Sequence, residues 1–363
     1  MLKRLFALLF CTTTLYAQED SSATDDFDFS EFELAAPPAK AFCNNKVLGQ
    51  SPTSLIGANY MYQGPHSFTA GNYNADDFEG NIAETNNIEA THAFTLIGNF
   101  PLISRNNILI NLNVIYDEQH YQFSDSETSH PLTQSLQDNP LRSASTLLTI
   151  FKPLNEKRFL LGQAGLSLNG DYNFRDFSQS ANTLRYSSAL LYGFKPSDRL
   201  MYAFGLSRTY LGGALNYVPI VYYYHTFKNQ KWGIEALLPA RAMLRYRFNS
   251  QSLLGLGFKV TGNTYHLNNL RANAGDAFNQ PALANSDNFE LRRSEIRAGL
   301  RFNRAITGFF WLTAEAGYRI NYSYDVDQGG DFLRFWGNEE SYFMENELGN
   351  PAYFLLGISY VSP

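Results

Sequence analysis

Apolar and polar residues alternate over unusually long stretches of this chain, and this pattern constrains the fold most strongly. In ILINLNVIYD, residues 108–117, alternate positions are apolar and the positions between them include Asn111, Asn113 and Asp117. Residues 159–171 and 199–209 alternate in the same way. Because successive side chains of a strand point to opposite faces, the pattern predicts β-strands. They reach the ~9–11 residues that a tilted strand needs to cross a bilayer, whereas sandwich strands have about 5–6.

The amino-terminus predicts export from the cytoplasm. MLKRLFALLFCTTTLYAQED has two basic residues, a short apolar run and a small residue, Ala17, where we expect cleavage. Residues 1–17 are therefore predicted to be a signal peptide. Cys11 leaves with it, so a mature chain keeps only Cys43 and no disulfide framework. Loss of Lys3 and Arg4 leaves 26 basic against 34 acidic residues, which disfavours nucleic acid as a partner.

Composition and export together favour one fold class. The chain has 23 Tyr and 29 Phe, only 17% charged residues, and no apolar run long enough for a transmembrane helix. An exported, aromatic-rich chain of long alternating strands is typical of a transmembrane β-barrel in an outer membrane. A secreted sandwich or propeller is the alternative. We therefore expect the protein to lie in the outer membrane, where its partners are the membrane lipid and the barrel-assembly machinery.

The pattern predicts a single antiparallel barrel over residues 52–361, with about fourteen strands and twelve as the lower count. Residues 18–51 form an acidic arm before it, predicted to lie in the periplasm. The predicted strands alternate between long and short connections, which is typical of long extracellular loops and short periplasmic turns. LLPAR, residues 237–241, is an exception among the long loops. Either the chain turns tightly at Pro239, or residues 231–248 form one bent strand.

Phenylalanines recur where the even-numbered strands meet their short turns, as in FKPLNEKRF and FKPSDRL. Outer-membrane barrels carry aromatic girdles at both membrane interfaces. The repeated position predicts a periplasmic girdle. Its members are Phe100, Phe151, Phe194, Phe227, Phe248 and Phe302, of which Phe151 and Phe227 are out of phase with their strands unless a bulge intervenes.

Cationic residues concentrate on the predicted inward face of four neighbouring strands. A lipid-facing arginine at mid-depth costs about 2–4 kcal/mol, so these side chains are expected to face the lumen. The predicted basic wall consists of Arg241, Arg245, Arg247, Lys259, Arg293, Arg297, Arg301 and Arg319, with the lumen acids Glu295 and Glu315.

Two interpretations of this wall remain open. It lines an aqueous lumen that favours anionic solutes, or it forms an internal Arg–Glu network that braces a closed barrel. The arm is a candidate partner, because seven acidic residues precede its first base, Lys40. The acidic segment either plugs the basic lumen or is a solvated leader.

Signals for catalysis are weak. The chain has no G-x-S-x-G, H-E-x-x-H or P-loop motif, and its six histidines are scattered. We expect no enzyme, no catalytic residues, no cofactor and no metal site. An outer-membrane lipid hydrolase that uses His225 with a nearby serine is kept as an alternative.

The segment YYYHTFKNQKWGIEALLPARAMLRYRFNSQSLLGLGF, residues 222–258, resembles an uncharacterised outer-membrane β-barrel family, one of the domain-of-unknown-function families. The resemblance implies the fold and the location and no activity. The final ISYVSP departs from the general barrel pattern, because it lacks a terminal Phe or Trp.

The predicted function is a passive channel or transporter for small, preferentially anionic solutes. Two alternatives are kept: a channel for hydrophobic substrates with an amino-terminal hatch, and a non-conducting structural or adhesive barrel.

Overall fold

Fourteen long strands form the wall of the molecule. The computed structural model describes residues 42–74, 82–125, 127–172, 184–209, 216–268, 270, 289–328 and 342–361. Two short strands, β2 (His66–Ala70) and β15 (Glu347–Leu348), pair with each other outside the wall. The wall strands are β1 (Ser54–Gln63), β3 (Glu84–Arg105), β4 (Ile108–Phe123), β5 (Leu141–Pro153), β6 (Arg158–Gly170), β7 (Arg185–Ser197), β8 (Leu200–Thr209), β9 (Asn216–Thr226), β10 (Trp232–Leu238), β11 (Arg241–Asn249), β12 (Ser252–His266), β13 (Phe289–Thr307), β14 (Phe310–Gln328) and β16 (Ala352–Val361).

The wall closes on itself. Each strand pairs antiparallel with the next wall strand, and β1 joins the two ends of the series. Tyr60 of β1 lies opposite Phe94 of β3 on one side and Leu356 of β16 on the other. Among the described wall strands, closure leaves no long exposed edge of the kind that promotes aggregation. The structure confirms the predicted antiparallel barrel of fourteen strands.

Alternation along each strand separates the lumen from the outer surface. In β11, Arg245 is 1% exposed and points inward, whereas its neighbour Leu244 is 40% exposed and points outward. Large apolar side chains such as Leu190, Phe204 and Leu300 stand exposed on the same outer face. An apolar exterior around a polar interior is the arrangement of a barrel that lies in a bilayer.

The connections differ in length between the two ends of the barrel. On one side they comprise only residues 106–107, 154–157, 198–199, 227–231, 250–251 and 308–309. We call this the periplasmic end and the opposite end extracellular, following the usual orientation of such barrels. At the extracellular end, β10 and β11 are joined by Pro239 and Ala240 alone. The chain therefore turns tightly at Pro239, and residues 231–248 are two strands.

Several wall strands are longer than the alternation predicted. β3 continues to Arg105 and β13 to Thr307, so Phe100 and Phe302 lie within strands instead of at the turns. The sequence also left β2, β15 and a helix, α1 (Pro131–Asp138), unassigned. His130 caps the start of α1, because its ring accepts a hydrogen bond from the Leu132 backbone nitrogen, and Pro131 occupies the first turn. Both features are common at helix starts.

An apolar core closes the extracellular end. It joins side chains of β2, α1 and the upper ends of the wall strands, among them Phe68, Leu132, Tyr265, Leu291 and Tyr324. We call this cluster the extracellular core. Beside it, His266 of β12 reaches β6 and pairs with Gly170 in parallel orientation. A Cβ at Gly170 would lie 2.7 Å from the His266 carbonyl oxygen, so the contact requires glycine.

Candidate functional site

The predicted basic wall lies inside the barrel, but most of its members have partners. Arg241 of β11 lies opposite Lys259 of β12 near the extracellular tip of the β10–β11 hairpin. Arg301 forms an ion pair with Glu315 across β13 and β14 at 2.5 Å. The Tyr353 hydroxyl donates to the other oxygen of Glu315 at 2.6 Å. Arg301 is therefore held by Glu315 on the lumen face of the barrel wall, and Tyr353 holds Glu315 in place.

Glu295 is the centre of a buried ion cluster. Its carboxylate accepts hydrogen bonds from Arg293 at 2.6 Å and from Arg297 Nε at 2.5 Å, and lies 3.5 Å from Arg319 Nε. One carboxylate thus faces three guanidinium groups. Burial of charge is costly unless it is compensated, so these residues depend on one another.

The cluster also reaches strands on another part of the wall. Arg293 donates to the Gln119 side chain of β4, and Arg319 donates to the Gln63 side chain of β1. Since β13 and β4 are not neighbours, these side chains meet across the lumen. Gln63 and Gln119 were missed by the sequence analysis, because neutral amides carry no charge signal.

Among the described residues, the predicted wall and the acids near it carry an excess of positive charge. The eight predicted cations lie with four acids in the interior: Asp117, Glu235, Glu295 and Glu315. The named cations therefore exceed the named acids by four. Asp117 accepts a hydrogen bond from Thr95 at 2.7 Å, and Glu235 pairs with Arg245 at 2.9 Å. Glu235 was missed although its inward position follows from the alternation of β10.

Residues 42–51 enter the barrel from the periplasmic end, and we call them the docked segment. Arg247 Nη2 donates to the carbonyl oxygens of Gly49 and Gln50 at 3.0 and 3.2 Å. The Ser51 backbone nitrogen donates to Glu235 at 2.8 Å. Arg247, a member of the predicted wall, and Glu235, which the prediction missed, thus bind backbone groups of the chain's own amino-terminal region.

Further polar contacts hold the docked segment at the periplasmic turns. Thr226, which is fully buried, donates to the Leu48 carbonyl oxygen at 2.6 Å. Lys195 donates to the Lys46 carbonyl oxygen at 2.7 Å. Gly49 has a φ of 71°, a conformation that glycine adopts without strain. A side chain at this position would strain the turn that brings the segment into the lumen.

Apolar contacts complete the docking. Cys43 and Val47 pack against inward-facing residues that include Phe159, Met201 and Tyr224. Burial raises the pKa of the Cys43 thiol above its usual value. The predicted arm is therefore partly a lumen plug, through residues 42–51. Its acidic residues 19–33, and the predicted signal peptide, lie outside the described residues.

A cavity of about 500 Å³ lies between the ion cluster and the tip of the β10–β11 hairpin. Lys259, Arg293 and Arg297 line one wall. The wall across the lumen, on β5 to β8, presents serine hydroxyls: Ser143, Ser145, Ser167, Ser187 and Ser207. The cavity becomes apolar towards the hairpin tip, where Leu237, Leu238 and Pro239 line it.

The outer surface carries two sets of exposed aromatic side chains. At the periplasmic side, Phe100, Phe227, Phe248 and Phe302 are exposed, and Phe194 stacks on Tyr202 with ring centroids 5.4 Å apart. Near the extracellular side stand Tyr60, Tyr186, Tyr217, Tyr318 and Tyr322. Two such girdles are typical of outer-membrane barrels.

Phe151 is a correction to the predicted girdle. It is 5% exposed, and its ring lies 4.9 Å from that of Phe159 inside the barrel. No bulge shifts β5 at this point, so strand parity places Phe151 inward. The residue lines the site where the docked segment packs.

His66 lies at the extracellular end and is nearly buried. Its Nδ1 donates to the Gly64 carbonyl oxygen at 2.9 Å. Burial lowers the pKa of His66 to about 4, and the positive charges of Arg319 and Arg293 contribute to the shift. The imidazole is therefore neutral over the ion cluster at pH 7.

The described residues contain neither a helix that could cross a membrane nor a cluster of metal-ligating side chains. None of the helices in this part of the chain is long and apolar enough to cross a membrane. The same residues contain no group of three or more His, Cys, Asp or Glu side chains arranged to hold a metal ion.

No protein-family model matches the chain, and no curated protein matches its sequence. Solved structures similar to it include two channels and a protease. The KdgM porin, in complex with disordered oligogalacturonate, is 8% identical and covers 85% of this chain and 99% of its own, with a TM-score of 0.31. An outer-membrane channel from Pseudomonas putida F1 is 12% identical and covers 90% and 100%, with a TM-score of 0.35. The outer-membrane protease OmpT from Escherichia coli is 11% identical and covers 86% and 100%, with a TM-score of 0.26.

Proposed function

We propose that the protein is an outer-membrane channel whose lumen prefers small anionic solutes. The observation that carries this proposal is the excess of four positive charges among the named lumen residues. Lys259 supports it most directly, because its side chain is exposed within the lumen cavity. A lumen lined by cations lowers the electrostatic energy of an anion relative to a cation.

The docked segment acts as the periplasmic gate of this channel. It occupies the lumen beside Arg245 and Arg247, and its hydrogen bonds are to side chains and turns of the barrel. Release of the segment would free the Arg247 guanidinium for solutes, whereas Arg245 would stay paired with Glu235. The arrangement described here is thus the closed state, and the charge excess belongs to both states.

Recording in planar bilayers tests the proposal. The mature protein is placed in a KCl gradient, and the reversal potential gives the ratio of chloride to potassium permeability. We expect a ratio above one, and a lower or inverted ratio for Lys259→Glu and Arg297→Glu. Lys228→Glu makes the same charge change in an exposed periplasmic turn and should leave the ratio close to that of the wild type.

Potassium preference in the wild type, or equal ratios for Lys259→Glu and Lys228→Glu, would overturn the proposal. Absence of conductance in both the wild type and the gate variant Arg247→Gln would instead favour a non-conducting structural barrel. That second function is favoured by one observation, the apolar extracellular core that closes the loop end.

Location and family are part of the proposal. The apolar exterior and the two aromatic girdles support insertion in the outer membrane after cleavage of the signal peptide. Lipid and the assembly machinery are then the partners at the outer surface. Membership of the uncharacterised barrel family that residues 222–258 resemble is proposed on that segment and the barrel fold.

A further inference from the structure

We propose that small amphipathic anions enter the lumen cavity sideways from the membrane, over the tip of the β10–β11 hairpin. This inference rests on the proposed function, because the anionic group is bound by the same lumen cations. It adds an entrance and a ligand class: one anionic head with an apolar tail.

The hairpin stops well short of its neighbours. Leu238 at its tip lies opposite Val221, but β9 continues for five residues to Asn216. On the other side Arg241 lies opposite Lys259, but β12 continues to His266. In the described part of the chain, residues 216–220 pair with β8 only, and residues 261–265 pair with β13 only. The wall therefore has a notch above the hairpin tip.

The height of the tip places this notch within the membrane. Phe227 at the periplasmic girdle directly follows β9 and lies ten residues along the chain from Tyr217 at the extracellular girdle. At ~3.3 Å per residue and a tilt of ~40° these ten residues rise ~25 Å, which equals the apolar band of such barrels. The six residues from Trp232 to Leu238 rise only ~15 Å by the same reckoning. The tip thus lies about 10 Å below the level of Tyr217, at the depth of the acyl chains.

The notch and the lumen share one cavity. Leu237, Leu238 and Pro239 at the tip line the same cavity as Lys259 and Arg297. Its volume of about 500 Å³ lies within the range of about 300–1,000 Å³ that small-molecule sites occupy. An apolar end towards the membrane and a cationic end in the lumen match a ligand with a tail and an anionic head.

The upper end of the barrel, by contrast, is roofed over the cavity. His266 of β12 pairs with Gly170 of β6, and the Asn268 backbone nitrogen donates to Asp171 at 2.7 Å. The extracellular core packs beside this contact through Tyr265 and Leu291. Among the described residues, the cavity therefore opens to the exterior at the tip of the β10–β11 hairpin and not at the extracellular end of the barrel.

Binding of dodecanoate tests the ligand class. Radiolabelled probe is measured in phosphatidylcholine proteoliposomes that contain the full mature protein, and the amount in protein-free vesicles is subtracted. We expect dodecanoate to bind at least about tenfold more tightly than dodecanol, which lacks the charge, or propionate, which lacks the tail. Lys259→Gln should reduce dodecanoate affinity to that of dodecanol.

Two tryptophan variants on the hairpin test the route. Leu237→Trp fills the mouth of the cavity from the inward face of the hairpin and should lower the affinity for dodecanoate by about tenfold or more. Leu244→Trp adds the same side chain on the exposed outward face and should bind like the wild type. Equal binding by the wild type, Leu237→Trp and Lys259→Gln would overturn the inference.

The depth of the tip is measured separately. Leu238→Trp is made in a chain whose Trp232, Trp311 and Trp336 are replaced by Phe. We expect its fluorescence to be quenched more by lipids brominated along the acyl chain than by lipids brominated at the headgroup. The opposite order would overturn the lateral entrance.

The two proposals fail in distinguishable ways. If chloride preference persists but dodecanoate binding is insensitive to Leu237→Trp and Lys259→Gln, only the lateral entrance is refuted. If dodecanoate binding follows the expectations but chloride preference is absent, the channel proposal fails and the binding site stands.

Discussion

Replacement of Arg247 by Gln should release the docked segment. Arg247 donates to two backbone oxygens of the segment, those of Gly49 and Gln50. A hydrogen bond from a charged donor contributes about 1.5–3 kcal/mol net. Both oxygens accept from the same Nη2 atom, so we count one charged hydrogen bond; at 1.36 kcal/mol per factor of ten, its loss raises the undocked population about tenfold to a hundredfold.

Cys43 reports that population directly. The residue is 6% exposed and lies between the segment and the barrel interior. In a Cys11→Ala background it is the only cysteine of the chain. When reclosing is faster than modification, the rate of labelling by a water-soluble maleimide is proportional to the undocked fraction. The rate for Arg247→Gln should therefore exceed that of the parent by about tenfold to a hundredfold.

Lys228→Gln is the matched control. It removes one positive charge from an exposed residue of the β9–β10 turn, which lies at the same end of the barrel. It should label at the parental rate. If Arg247→Gln labels no faster than Lys228→Gln while both migrate as folded barrels in unheated gels, the guanidinium does not hold the segment and the reasoning is refuted.

Three further predictions concern the extracellular half. Glu295→Gln leaves three arginines without their carboxylate and should destabilise the barrel by about 3–5 kcal/mol. Its unfolding temperature in detergent should be well below that of Glu315→Gln, and equal unfolding temperatures for the two variants would contradict the role of the ion cluster. Burial lowers the pKa of His66 to about 4, so the neutral imidazole stabilises the fold fully above its unfolded pKa of about 6.5, and this stabilisation is lost as the pH falls towards 4. Hydrogen exchange in β2, corrected for intrinsic rates, should therefore become faster between pH 7 and pH 4.5. His66→Asn should remove that pH dependence. Gly170→Ala should separate β12 from β6, because its Cβ meets the His266 carbonyl oxygen; unchanged protease resistance of the extracellular loops would refute it.

The barrel was predictable from sequence because its physical cause is local. Each strand must present apolar side chains to lipid and polar ones to the lumen, so successive residues alternate between the two types, as Leu244 and Arg245 do. The long and short connections then follow from the gaps between alternating runs. The tight turn at Pro239 was one of two open interpretations, since alternation continues through it.

The interior contacts were not predictable, because they join residues far apart in the chain. Parity showed that Arg247 faces inward, but not that Gly49 and Gln50 would be its partners. The extracellular core depends on β2 and α1, which are too short for a periodic signal. Phe151 was misplaced because a recurring motif was given more weight than the strand's own alternation.

The docked segment also has a consequence for the order of biogenesis. It precedes every strand that the structure describes, yet its partners Lys195, Thr226, Glu235 and Arg247 belong to strands from β7 to β11. The surface that binds the docked segment does not exist until those strands have paired. The first described residues of the chain are therefore among the last to reach their final position, and an assembling barrel passes through a stage with its periplasmic end open. Slow modification of Cys43 is then a mark of completed assembly.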